Sequence, residues 1–373
     1  TTEIYTLSLH DALPICEVKL EIGGKLQILY MAVFTPALSN YRYAILFHRQ
    51  DTASFLQAHV LFFEHVGGVF KTMVYDNMRV VIRKFVGPSE KQPTEALLKL
   101  STYYQFHFRF CNVASGNEKG HVERSVEFVR RKAFSNYDRF PTLEAANDRL
   151  SGTCNRINTR FNRDNLGKRS IDLLEVERKQ LAPVPPSFDC GQMEQCKVDK
   201  YSVITYATNR YSVPDHLVGK MVDIKVYPEE LHCYYENRKI CRHERQYTRQ
   251  GWYINLDHYL YTLKRKPGAL SGSQALASAP DKVKHIFSEY FADTPKDFVD
   301  LLIFLQDHDY GFDRAIEAIN RLKQISVRDI SLDKIKALCM QKNEVYAPVL
   351  NDDDQILQQS RAQLEELSLL LNY

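Results

Sequence analysis

Alternation, helical spacing and breaks in the apolar pattern divide this chain into segments of different kinds. From Glu17 the run EVKLEI alternates with a two-residue period and predicts a strand, which Gly23-Gly24 turns into a second run, KLQILYMAVF. YRYAILFH is a third strand-like run. In DTASFLQAHVLFFEHVGG the pattern becomes that of a helix, with Asp51 as N-cap, apolar Phe55, Val60, Phe62, Phe63 and Val66, and Gly67-Gly68 as the stop. A short apolar strand, KTMVYDN, ends on Asp76. A charged loop around Val86–Pro93 leads to a helix in TEALLKLSTYYQF, a strand in HFRFCN and a basic helix in SGNEKGHVERSVEFVRRKAF. Early hairpins followed by helix-joined strands predict a mixed α/β core, with sites at the carboxyl ends of its strands.

The region from KVDKYSV to RHER is different. Short alternating runs, broken by Asn, Pro, Asp and Gly about every ten residues, predict a small β-barrel. The stretch LAPVPPSFDCGQ, with Pro183, Pro185 and Pro186, reads as a linker, and LKRKPGALSGSQ as a second joint, beyond which the pattern is helical. The expected division is a core over 16–180, a linker over 181–192, a barrel over 193–268 and a helical region over 269–373. No internal repeat is visible.

The first fifteen residues fit none of this. Ile4, Leu7, Leu9, Leu13 and Ile15 follow neither period, and a secretory signal is excluded because no Lys or Arg precedes Lys19 and polar residues interrupt every apolar run. Read back into codons, TTEIYTLSLHDALPI resembles a translated sequencing adapter. The expectation is that residues 1–15 are an artefact, that the gene fragment begins at Cys16, and that the native N-terminus is missing.

Composition adds limits. Hydrophobic residues at 44% and charged residues at 25% are those of a globular protein. No apolar run approaches the ~18–20 residues that span a membrane, and the eight cysteines show no zinc or redox spacing, so reduced thiols are expected. The net charge of +3 is uneven: residues 119–170 hold 12 Lys/Arg against 6 Asp/Glu, and 191–268 hold 13 against 9. The last stretch, Asn351 to Tyr373, has one Arg against five acids. A basic middle points to a polyanionic partner.

Two carboxylates carry candidate chemistry. Asp76 ends a strand and Glu123 lies early in the basic helix; phosphodiester chemistry by two metal ions needs acids converging on ions ~3.5–4 Å apart, and Mg²⁺ favours such ligands. Turn chemistry at Asp76-Asn77 and helix-start preference at Glu118 and Glu123 are the structural alternatives. On the helix Val122, Val126, Val129 and Ala133 form the inward stripe. Glu123, Glu127 and Arg130 form the next face, and spacing does not choose between the two glutamates. Lys119, Arg124, Arg130, Arg131 and Lys132 either take DNA phosphates or form a solvated face. The same holds for Arg210 in NRYSVP and for Lys264-Arg265-Lys266. His107 and Cys111 lack an orienting partner, and His232, His243 and His258 lack ligand spacing.

The runs VYDNMRVVIRK, GNEKGHVERSVEFVRRKAF, NRYSVPDHLVGKMVDIKVY and LKRKPGAL, in this order, resemble the IstA-type transposase of the insertion-sequence-21 family, over Cys16 to about residue 310. The resemblance implies an RNase H-like integrase catalytic core of the DDE superfamily, then a small β-barrel and a helical C-terminal region. It places the second acid at Asp76 and the third at Glu123, within Lys-Gly-x-Val-Glu, and leaves Glu127 as a solvated helix residue. The acids stand 47 residues apart, and the loop around Val86–Pro93 absorbs the excess over compact retroviral spacing. The first acid belongs just ahead of Glu17-Val18-Lys19; Asp11 falls in the adapter-like stretch and does not qualify, and Glu17 and Glu21 are weak substitutes. An upstream helix-turn-helix region is also missing. The intact enzyme is expected to use two Mg²⁺ (or Mn²⁺) ions to cleave transposon ends and join their 3′-hydroxyls to target DNA. It would work as a homo-oligomer on DNA with an AAA+ ATPase helper in the bacterial cytoplasm, associated with the nucleoid and not with a membrane; the acidic tail is a candidate docking site for the helper. This chain, short of its first acid, is expected to be inactive. The alternatives are a non-catalytic DNA-binding or regulatory protein, such as a truncated transposase that competes for ends, and a related integrase or nuclease of the same fold.

Overall fold

The computed structural model describes residues 3–6, 16–75, 81–85, 91–110, 126–161, 167–325 and 330–341. The chain forms two compact units, Thr1–Tyr253 and Ile254–Tyr373. The first begins with strands β1 (Glu3–Thr6), β2 (Cys16–Ile22), β3 (Lys25–Pro36) and β4 (Tyr43–Phe47), followed by helix α1 (Thr52–Val66) and β5 (Thr72–Tyr75). Strands β6 (Ile82–Phe85) and β7 (Lys91–Pro93) pair as an antiparallel hairpin where the sequence reads as a loop. Then come α2 (Glu95–Tyr104), β8 (His107–Phe110), α3 (126–134), β9 (Arg139–Phe140), α4 (Leu143–Asn158) and α5 (Ser170–Arg178).

Seven strands form one mixed sheet in the order β8-β5-β1-β3-β2-β9, with β4 on the other edge of β3. β1, β5 and β8 run parallel, and the hairpins around β3 are antiparallel. Gly23 and Gly24, at φ 57° and 77°, make the tight turn between β2 and β3 that residues with a Cβ adopt poorly. β1 and β2 share one edge of β3: Thr6 faces Phe34 and Cys16 faces Met31. Only the ladder positions of Ala32 and Val33 separate them there, while the chain places residues 7–15 between them.

Helix α1 has the caps its sequence predicts. Asp51 Oδ1 accepts from the Ser54 amide at 2.9 Å, and Gly67, at φ 71°, donates its N–H to the Phe63 and Glu64 carbonyls. Phe55, Phe62, Phe63 and Val66 are buried in the core with Phe34, Met31, Met73 and Tyr75, each contributing about 1.5–3 kcal/mol relative to exposure. The Pro-rich segment is strapped to this core. Cys190 is buried, Val69 and Ala182 exchange backbone hydrogen bonds, and Tyr103 Oη donates to the Pro186 carbonyl at 2.8 Å.

The rest of the first unit has its own core of Ile204, Tyr211, Val222, Ile224 and Leu231. Its strands are β10 (Gln192–Lys197), β11 (Val203–Tyr206), β12 (Asn209–Ser212), β13 (Met221–Val226), β14 (Glu230–Tyr235), β15 (Arg238–Glu244) and β16 (Trp252–Tyr253). They pair as two sheets, β10-β13-β14-β15 and β11-β12-β16. The second unit is helical: α6 (Leu260–Arg265), α7 (Gln274–Ala277), α8 (Asp281–Ile286), α9 (Pro295–Asp307), α10 (Phe312–Ile325) and α11 (Leu332–Met340). Residues 254–268, which the barrel expectation includes, belong here because Leu256, Leu260 and Leu263 are buried in the helical core with Phe298 and Leu301.

Candidate functional site

The carboxyl edge of the parallel strands is where the sequence places a site. One ladder row across it holds Thr6, Tyr75 and Phe110, and Asp76 is the next residue after Tyr75. Asp76, Glu123, Lys119 and Arg124 lie outside the described residues.

Tyr75 is held firmly. Its side chain is fully buried, and its hydroxyl donates to His59 Nε2 at 2.9 Å, while His59 Nδ1 donates to the Phe55 carbonyl at 2.8 Å. That pattern requires neutral imidazole. Burial among Phe34, Phe55, Phe63 and Tyr75 pushes the His59 pKa down to about 4, against a smaller upward pull from the Phe55 carbonyl. Burial also raises the Tyr75 pKa. The pair ties α1 to the last residue of β5. It went unread in the sequence, since a histidine inside an aromatic helix face carries no motif.

On α3, Val126, Val129 and Ala133 are buried, as the stripe predicts. Glu127 is exposed, with Arg131 4.0 Å away in a pair worth little in water. Arg130 is half-buried, while Arg131 and Lys132 are exposed, the Lys132 ammonium lying 5.8 Å from the Phe128 ring centroid. Lys264, Arg265 and Lys266 are exposed at the carboxyl end of α6, where positive charge suits the helix dipole. Arg210 faces outward on β12, while Tyr211 beside it is fully buried and belongs to the core.

A further charged residue joins the two sheet regions of the first unit. Arg245 is buried; its Nη2 donates to Asp51 Oδ2 at 2.6 Å, its Nη1 to the Tyr227 carbonyl at 3.0 Å, and its guanidinium lies 5.6 and 5.0 Å from the Tyr206 and Tyr247 ring centroids. It walls a cleft of about 550 Å³ lined also by Lys25, His48, Arg49, Glu144 and Glu229. Burial and the nearby Glu144 push the Glu229 carboxyl above its usual pKa. Carboxylates among the cations make this cleft a poor polyanion site.

Residues 182–255 match the family of the Mu transposase C-terminal domain. A transposase of Aminobacter aminovorans is 33% identical over 261 residues, which are 68% of this chain and 51% of that protein. The transposase for insertion sequence element IS21 of Pseudomonas aeruginosa is 26% identical over 245 residues, 65% of this chain and 63% of that protein. The chain therefore spans between half and two thirds of the length of these relatives. Among solved structures, the HTLV-2 integrase catalytic core domain in complex with magnesium aligns with a TM-score of 0.33 and 10% identity, over 46% of this chain and 94% of that one. The resemblance carried by the sequence motifs is borne out: this chain is homologous to insertion-sequence transposases, that of IS21 among them.

Proposed function

We propose that this chain is the catalytic part of a DNA transposase with an RNase H-like core, in which Asp76 and Glu123 supply two of three metal-binding acids. Homology to transposases supports the activity. The observation that carries the site is the register at the carboxyl edge of the sheet. Thr6 pairs with both Phe34 and Tyr75, and Asp76 follows Tyr75 in the sequence. Cys16, the first residue of β2, pairs with Met31 on the same edge of β3, three positions from Phe34. The family resemblance places the missing acid just ahead of Glu17, at this end of β2.

Carboxylate oxygens are hard donors that suit Mg²⁺ or Mn²⁺. Ions bound there supply charge neutralisation on the phosphodiester and activation of the attacking oxygen. The protein's own part is positional: the buried Tyr75–His59 pair secures the strand end that leads to Asp76, and the buried face of α3 anchors the helix that follows Glu123. Exposed Arg131 and Lys132, with Lys119, Arg124 and Arg130, would take DNA phosphates. On this reading the protein works as an oligomer on DNA, and the acidic tail docks an AAA+ helper.

The test begins with the genomic locus upstream of the Cys16 codon, read without adapters. If it encodes a strand with Asp shortly before Glu17, the restored chain should join transposon ends to target DNA with Mg²⁺. If the restored chain binds ends but neither cleaves nor joins them, it is a non-catalytic regulator. If the genome encodes TTEIYTLSLHDALPI, the adapter reading is wrong.

A further inference from the structure

The outward face of the sheet β11-β12-β16 gathers aromatic rings and cations. β12 and β16 pair in parallel, Arg210 facing Trp252 and Tyr211 facing Tyr253. Strand alternation separates the two pairs. Tyr211 is buried and stacks on Tyr253 with centroids 5.4 Å apart, while the Arg210 guanidinium lies 4.6 Å from the centroid of the outward-facing Trp252 ring. Buried Asn209 fixes this arrangement. Its Nδ2 donates to the Gln246 and Thr248 carbonyls at 3.0 and 2.8 Å, and its Oδ1 accepts from the Gly251 amide at 2.9 Å, pinning the loop that delivers Trp252. Tyr201 meets the indole edge-on at 6.2 Å, and the Lys200 ammonium stands 5.0 Å from the Tyr201 centroid.

Two features set this patch apart from core. Trp252 and Tyr201 stay 36% and 56% exposed, although large aromatics repay burial well. Lys225, Arg242 and Arg245 in the same region pair with Asp189, Glu230 and Asp51. Among the described residues, Lys200 and Arg210 have no acidic partner. Partly exposed rings beside cations that lack an acidic partner among the described residues suit a polyanion whose bases are free to stack, and duplex bases are not.

We propose that Lys200, Tyr201, Arg210 and Trp252 form a binding site for unpaired DNA, with bases stacking on the rings and adjacent phosphates taken by the two cations. This rests on the transposase reading and names the form of DNA held. Trp252 is the only tryptophan in the chain, so tryptophan emission of the full chain, excited selectively over its tyrosines, reports on this patch alone. Titration with a twelve-residue oligothymidylate should quench the emission saturably, and a blunt-ended duplex of two complementary strands should quench it less. Arg210→Ala and, independently, the exposed-site variant Tyr201→Ala should each weaken single-strand binding about tenfold. Quenching by the duplex as strong as by the single strand overturns the proposal. So does binding of labelled transposon-end DNA, seen by anisotropy, with Trp252 emission unchanged by either DNA; the transposase reading then survives. Absence of any DNA binding overturns both.

Discussion

Asp51 serves two partners at once: one carboxylate oxygen caps α1 through the Ser54 amide, and the other receives buried Arg245 at 2.6 Å from a strand region 194 residues away. The start of the core's first helix is thus the anchor for the sheets that follow the Pro-rich segment. Removing one member of a buried pair strands the other, at about 3–5 kcal/mol. Arg245→Met should therefore destabilise the protein by that order in urea unfolding. Asp51→Asn has one acceptor oxygen where the carboxylate has two, so it gives up either the cap or the Arg245 bond and leaves the buried cation without its charge partner; it should cost at least as much. A double-mutant cycle giving no coupling would show that the contact does not contribute to stability.

The buried histidine makes stability pH-dependent with a defined sign. The folded-state pKa of His59, about 4, lies below the ordinary 6.5. Its contribution is whole above pH 6.5 and declines as the pH falls toward 4, because the unfolded chain takes up the proton first. The loss by pH 4 is on the order of 3 kcal/mol. In His59→Gln the amide can still bond Tyr75 and the Phe55 carbonyl without titrating. The fall in unfolding free energy between pH 7 and 4.5 should then be smaller by about 2 kcal/mol or more than in the parent; an equal fall would mean that another group controls the acid response.

Glu123 and Glu127 should be separable by function. In the chain with its native first strand restored, Asp76→Asn and Glu123→Gln should each lower Mg²⁺-dependent strand transfer by about 10³-fold or more. Glu127→Gln, at an exposed position paired loosely with Arg131, should leave the rate within about fivefold, since a surface pair of this kind contributes under ~1 kcal/mol. Loss of activity in Glu127→Gln with full activity in Glu123→Gln would reverse the assignment.

Gly67 ends α1 in the left-handed region at φ 71°. Gly67→Ala should cost about 1 kcal/mol, through strain at that φ and not through any clash, because a Cβ there meets no atom within 4 Å. Thermal unfolding of the two proteins checks this, and an unchanged midpoint would contradict it.

What the sequence determined by itself is local. The Gly23-Gly24 turn, the Asp51 and Gly67 caps, and the buried stripe of Val126, Val129 and Ala133 all depend on residues within one turn or one strand of each other, where periodicity and backbone preference suffice. Asp76 and Glu123 were legible as candidates from their places after a strand and early in a helix, but only the motifs resembling a family chose them over turn chemistry, helix-start preference and Glu127. Tertiary structure decided the remainder. It set β1 and β2 end to end along β3, bonded Tyr75 to His59 and Arg245 to Asp51, buried Tyr211 while leaving Arg210 and Trp252 outside, and strapped the Pro-rich segment to the core. Each of these depends on the register and packing of segments far apart in the chain. Which side chains meet across such distances follows from how the whole core fills and not from any local pattern.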